Sequence, residues 1–196
     1  MGLILVTSKF ENDKYNYYSN LVDSKLIEYL KQNNHDILIM PNYIPSKNLF
    51  KKIKFSKIIL TGGGDIFSKN LKEKKRIYVE NFLISYAIKN DIPLLGICRG
   101  MQQICKYFKI KISKVKNHVK KNHEIYYKEK KIVRNSFHNF GIYKSDINTK
   151  FEILGVAKDN TVELIKLKKK NIYGMMWHPE RQSYKNFQTD LKKINF

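Results

Sequence analysis

Cys98 sits between two glycines in Gly96-Ile97-Cys98-Arg99-Gly100, with the apolar pair Leu94-Leu95 before it and Met101-Gln102 after it. That frame suits a sharp strand-to-helix turn, which lifts one reactive side chain above a sheet. A free thiol is mostly protonated at neutral pH. A helix N-terminus and a nearby histidine favour the thiolate, which is the nucleophilic form. An ordinary buried cysteine between a strand and a helix is the bland alternative. The glycines on both sides favour covalent chemistry.

A base for that thiol is present in Met176-Trp177-His178-Pro179-Glu180. In an extended segment, residues two apart project to the same side, and Pro179 restricts the backbone between them. His178 is then the base for Cys98, and Glu180 orients the imidazole, as in a nucleophile-base-acid triad. A structural histidine beside a solvent-facing glutamate is the alternative for this segment taken alone. A third feature, Thr61-Gly62-Gly63-Gly64-Asp65, follows an apolar run. Its backbone N–H groups at Gly62 or Gly63, together with that of Arg99, fit an oxyanion hole. A phosphate-binding loop would need a Lys-Ser/Thr pair that is absent, and a bare tight turn is the remaining alternative.

Positioning these residues requires alternating elements. Leu3–Val6, Ile37–Met40, Ile58–Leu60 and Pro93–Gly96 read as strands. Apolar residues recur at helical spacing from Leu21 to Leu30, and again between about Lys74 and Lys89. This alternation predicts an α/β three-layer sandwich with a mostly parallel central sheet and helices on both faces. Beyond Phe108 the strand candidates are Ile125–Tyr127, Ile132-Val133, Phe151–Val156, Val162–Leu167 and Ile172–Trp177. A charged turn at Lys168–Asn171 implies a hairpin between the last two, with Lys166–Lys170 as its solvated tip. A closing helix is expected over Tyr184–Ile194. Neither a repeat nor a linker interrupts the chain, so residues 1–196 read as one domain.

Composition narrows the class. The chain has 196 residues, of which 42% are hydrophobic, enough for a buried core. No apolar run approaches the roughly 20 residues that span a bilayer, and the first residues lack the features of a signal peptide. Two cysteines, seven apart, do not make a disulfide framework. Two free thiols in a reducing cytoplasm are expected, one of them reactive. The net charge of +21 invites a nucleic-acid partner. Only four of the 38 basic residues are arginine, however, and arginine is favoured for base readout, so an anionic small molecule suits the field better. His118 and His123 lie five apart without a further cysteine or an acidic cluster. A zinc site wants three or four ligands, so no metal is assigned.

Gly96–Gln102, the Gly62–Asp65 turn, Asn135-Ser136-Phe137-His138 and Trp177–Glu180 together resemble the class I glutamine amidotransferase superfamily. The resemblance runs from about Leu3 to Glu180, with the motifs in the family's order. It implies the triad Cys98, His178 and Glu180. It further implies that Gln102 and the Ser136-Phe137 backbone hold the glutamyl amino and carboxylate groups, with His138 lining the same pocket. Cys-Arg-Gly-Met-Gln is most similar to the peptidase C26 branch, the γ-glutamyl hydrolases. Members of that branch release glutamate from a γ-glutamyl conjugate without a synthase domain or a cofactor. A nucleotide-linked conjugate suits the basic chain. A glutaminase subunit that passes ammonia to a separate synthase and a hydrolase of the γ-glutamyl-γ-aminobutyrate type are the other readings. The chain departs from the branch in being shorter and in having Thr61 where proline is common, which leaves the pocket beyond the glutamyl group open.

Overall fold

The computed structural model describes residues 2–15, 17–43, 47–128 and 130–196. Its first half comprises β1 (Leu3–Thr7), β2 (Lys9–Asn12), β3 (Tyr18–Leu21), α1 (Ser24–Gln32), β4 (Asp36–Met40), α2 (Lys47–Lys52), β5 (Lys57–Leu60), α3 (Leu71–Asn90), β6 (Leu94–Ile97) and α4 (Arg99–Tyr107). The second half comprises β7 (Ser113–Lys114), β8 (Val119–Tyr127), β9 (Lys130–Phe137), β10 (Phe140–Gly141), β11 (Phe151–Ala157), β12 (Val162–Leu167), β13 (Ile172–Met175) and α5 (Tyr184–Lys193).

Side-chain alternation sets the layers. In β1, Leu5 joins one apolar cluster while Ile4 and Val6 join another. Strand β5 divides Ile58 and Leu60 from Ile59 in the same way, and β6 divides Leu94 from Leu95 and Ile97. A strand apolar on both faces needs cover on both faces. Helices α3 and α4 supply it on one side through Val79, Leu83, Ile84, Met101 and Ile104. On the other side, α1 and α5 contribute Leu26, Leu30 and Phe187. Each fully buried side chain of this kind contributes about 1.5–3 kcal/mol.

The nine-stranded sheet has the order β4-β1-β5-β6-β13-β12-β11-β8-β9. Strands β4, β1, β5, β6 and β13 run parallel. From β13 outward each added strand is antiparallel to the last, so seven of the nine point one way. The expected hairpin at Lys168–Asn171 joins β12 to β13. Among the described residues, no helix is long and apolar enough to cross a membrane.

Several local expectations are corrected. Leu21 and Val22 are not helical: Leu21 closes a β2–β3 hairpin, and α1 begins only at Ser24. The Asp23 side chain accepts a hydrogen bond from the Lys25 N–H, which caps the helix and fixes its start. Residues 125–127 and 132–133 belong to strands of nine and eight residues, because cross-strand pairing carries β8 and β9 past the apolar stretches. Strand β13 ends at Met175, and Pro179–Arg181 form a 3-10 turn. His178 and Glu180 therefore meet across a strand exit and a turn, not along an extended segment.

The turn between β6 and α4 depends on three backbones in contact. A Cβ on Gly100 would lie 2.2 Å from the Leu60 carbonyl oxygen, and one on Gly96 would lie 2.5 Å from the Gly100 carbonyl carbon. Neither neighbour is a flexible side chain that could yield. We expect Gly100→Ala to lower the unfolding free energy by about 1–3 kcal/mol, read from the denaturant midpoint. An unchanged midpoint would show that this contact does not constrain the fold.

Candidate active site

Cys98 leaves β6 and caps α4 with φ 50° and ψ −103°, outside the regions favoured for a residue with a side chain. Its N–H donates to the Met175 carbonyl at 2.7 Å, and its own carbonyl accepts from Gln102 N. Those bonds fix the elbow at the end of the parallel sheet, where such folds place ligands. Burial pushes the second thiol, Cys105, up to about 12, so it is protonated and inert at neutral pH.

His178 and Glu180 arrive from beyond β13, the strand next to β6 in the sheet. His178 Nδ1 and Glu180 Oε1 are 2.6 Å apart, and both side chains are buried. Burial opposes a charge on the imidazole. Hydrogen bonding and charge from Cys98 and Glu180 outweigh it and raise His178 to about 9. The backbone is held as firmly as the ring. Asn135 Oδ1 accepts from His178 N at 2.9 Å, while Asn135 Nδ2 donates to the His178 carbonyl at 2.8 Å.

The triglycine turn faces this pair. A Cβ on Gly62 would lie 2.6 Å from His178 Cε1 and 3.4 Å from Cys98 Cβ, so only glycine fits without a shift. Arg76 holds the outer side of the turn. Its guanidinium donates to the carbonyls of Thr61 and Gly63 at 2.7 Å each and of Gly62 at 3.2 Å. With three successive carbonyls drawn to one cation, the peptide N–H groups are free to point elsewhere. Thr61 also gains from its difference from proline: its N–H donates to Thr7 Oγ1 at 3.0 Å, a bond proline has no hydrogen to make.

Arg76 pairs with Glu80, and Glu80 bonds in turn to Arg99, whose other guanidinium nitrogen lies 3.4 Å from Glu73. The Arg99 side chain is therefore buried beneath the elbow. Burial, partly offset by Glu80, lowers Arg76 to about 10, which leaves it charged at neutral pH.

A cleft of about 290 Å³ opens over Cys98, with Gly63, Arg99, Gln102, Phe137, His138, His178 and Arg181 in its walls. Gly62 lies on the other side of the turn, in a recess of about 190 Å³ shared with Gly63, His178 and Glu180. Gln102 Nε2 donates to the Phe140 carbonyl at 2.8 Å, and His138 Nδ1 reaches the same oxygen at 3.0 Å. Ser136 is set back. It is fully buried, its hydroxyl donates to the His118 carbonyl, and it is not part of the cleft wall.

Sequence reasoning missed Arg76, Glu80 and Asn135 as positioning residues, and Arg181 in the cleft wall. Arg181 stacks over the Phe137 ring at 4.8 Å. The rarity of arginine was the available signal. Arg76, Arg99 and Arg134 are buried in ion-pair networks, where a forked guanidinium does what a lysine cannot.

Residues 15–193 match the family "Glutamine amidotransferase class-I". The chain is 45% identical over 138 residues to a gamma-glutamyl-CDP-amidate hydrolase of Campylobacter jejuni, covering 69% of this chain and 68% of that one. It is 30% identical over 163 residues to a glutamine-hydrolyzing GMP synthase subunit of Methanococcus aeolicus, covering 80% and 81%. Its fold is similar to that of a putative GMP synthase subunit from Thermoplasma acidophilum, with TM-score 0.72, 19% identity and 99% and 94% of the two chains covered. A glutamine amidotransferase from Thermotoga maritima gives TM-score 0.66 at 14% identity, over 100% and 86%. The chain belongs to the class I glutamine amidotransferases.

Proposed function

We propose that this protein is a cysteine-dependent hydrolase of a γ-glutamyl amide, and that the substrate is γ-glutamyl-CDP-amidate. The observation that carries the reading is the meeting of Cys98, His178 and Glu180 at the cleft floor, opposite the triglycine turn. The resemblance to the Campylobacter jejuni hydrolase supports the choice of substrate.

Cys98 Sγ attacks the γ-carbonyl carbon, and its proton resides on His178. The backbone N–H of Arg99 and that of Gly62 or Gly63 stabilise the oxyanion. The tetrahedral intermediate collapses with cleavage of the C–N bond, and His178 gives its proton to the departing nitrogen. Cytidine diphosphoramidate leaves, and a γ-glutamyl thioester stays on Cys98. His178 then takes a proton from water, whose oxygen adds to the thioester carbon. L-glutamate departs and the thiol is restored. Glu180 accepts from Nδ1 throughout and stabilises the imidazolium. Gln102 and the Phe137 backbone hold the glutamyl end, His138 lines that pocket, the set-back Ser136 supports it from behind, and Arg181 faces the diphosphate. The organisation needs no cofactor and no membrane or nucleic-acid partner, and it suits the cytoplasm.

A second reading has one specific support, the likeness to glutamine-hydrolyzing GMP synthase subunits. In that case the protein hydrolyses glutamine for a separate synthase. Glutamate release from glutamine, from γ-glutamyl-aminobutyrate and from γ-glutamyl-CDP-amidate separates the readings. The expected order places the nucleotide conjugate first by at least about tenfold in kcat/KM, a difference of about 1.4 kcal/mol. Arg181→Ala should erase that preference, and Cys98→Ala should abolish turnover in a folded chain. Glutamine as the best substrate, active only beside a synthase, would reverse the assignment.

The pH profile tests the base. With His178 raised to about 9, the imidazolium that protonates the leaving nitrogen persists through neutral pH and is lost as pH climbs past that value. An alkaline limb in kcat/KM centred near pH 9 is expected. Glu180→Gln removes one group that raises His178, so the limb should move to lower pH. A limb that stays in place in that variant would separate Glu180 from the base.

A further inference from the structure

Away from the cleft floor, three histidines converge on one buried carboxylate. His118 precedes β8, His123 lies within it, His138 follows β9, and Glu163 belongs to β12. Four of their side-chain atoms are buried without a hydrogen-bond partner: His118 Nδ1, His123 Nε2, His138 Nε2 and Glu163 Oε2. His123 Nε2 is 3.4 Å from Glu163 Oε2, while His118 Nδ1 and His138 Nε2 are 3.8 and 3.7 Å from Glu163 Oε1. These gaps are too long for hydrogen bonds. Two bonds of about 2.0–2.1 Å at a tetrahedral angle separate their ligand atoms by about 3.3 Å, close to what is seen.

The opposite ring nitrogens fix the tautomers. His138 Nδ1 contacts the Phe140 carbonyl at 3.0 Å, and a carbonyl only accepts, so Nδ1 carries the proton. His118 Nε2 likewise faces the Asp159 carboxylate at 2.8 Å. In the neutral rings, His138 Nε2 and His118 Nδ1 are then bare lone pairs aimed at carboxylate oxygens. Second protons would relieve that clash only by crowding cations. The His118 ring centroid lies 4.7 Å from that of His138 and 4.8 Å from that of His123. One divalent ion satisfies three of these residues together, because ligand atoms of His118, His123 and Glu163 all lie within 4.8 Å of one another. A ring N–H donated outward to a carboxylate or a carbonyl is also how metal-binding histidines are oriented.

We propose that His118, His123 and Glu163 bind one divalent transition-metal ion of the zinc class, with Asp159 orienting His118 from outside and His138 beside the Glu163 carboxylate. The ion is structural. It ties Glu163 of β12 to His118 and His123 at β8, alongside the loop that brings His138 into the substrate cleft. A recess of about 390 Å³ bounded by His118, His123 and Asp159 gives the ion a route in. Along the chain, the two nearby histidines lack partners, which is why no metal is assigned from sequence. The fold supplies a partner from position 163, with His138 beside it.

The test is a Co²⁺ titration of the tag-free, metal-stripped full chain, run in parallel on Cys98→Ala so that the thiol cannot compete. The expected result is one equivalent bound, with the visible band of a low-symmetry nitrogen-oxygen site in both proteins. Zn²⁺ should displace it and raise Tm. Asp159→Asn, on an exposed carboxylate, should weaken binding about 10- to 100-fold, and His123→Gln more severely. Absence of the band overturns the proposal, as does binding that survives His123→Gln and Glu163→Gln equally. Binding lost only in Cys98→Ala overturns it too, by placing the ion at the nucleophile.

Discussion

Three consecutive carbonyls converging on the Arg76 guanidinium are the constraint on which the site rests. Glu80 joins that cation to Arg99, the first residue of α4, so the triglycine turn and the elbow belong to one buried ionic frame. Two guanidiniums meet two carboxylates, Glu73 and Glu80, and their formal charges cancel. Removing one member would strand the others without water, which costs far more than the frame contributes when whole. The frame holds two polar backbone segments at a fixed separation, which in the proposed mechanism puts donors in place before any charge develops between them.

The two halves of the sheet divide the labour. The parallel half carries the elbow and the glycine turn at the ends of β6 and β5. Beyond β13, its last strand, the parallel half also carries His178. The antiparallel half reaches back through Asn135 on β9, whose amide clamps the His178 backbone. Strands β6 and β13 pair side by side, with Gly96 opposite Gly174 in register. Trp177 anchors the His178 segment from behind. Its indole N–H donates to Asp190 of α5 at 2.8 Å, and Arg134 of β9 pairs with the same carboxylate.

What the sequence revealed and what it hid follow from range. The Gly-x-Cys-x-Gly frame, the strand alternation around it and the Lys168–Asn171 hairpin are local patterns, and each was legible. Glu73, Arg76 and Glu80 drew no reading from the sequence, yet all three are buried. Their partners lie at residues 61–63 and 99, and no spacing within α3 announces them. His118 and His123 looked isolated for the same reason. Leu21 and Val22 misled because two apolar residues just before Asp23 imitate a first helical turn.

The single tryptophan of this chain is Trp177, wholly buried and adjacent to His178. Its indole is pinned to the same carboxylate that pairs with Arg134 behind His178. Emission excited selectively at the indole, which leaves the thirteen tyrosines dark, therefore comes from one known place. Any motion that releases His178 from its seat also changes the surroundings of the fluorophore, so the protein carries an optical gauge of the geometry around that histidine.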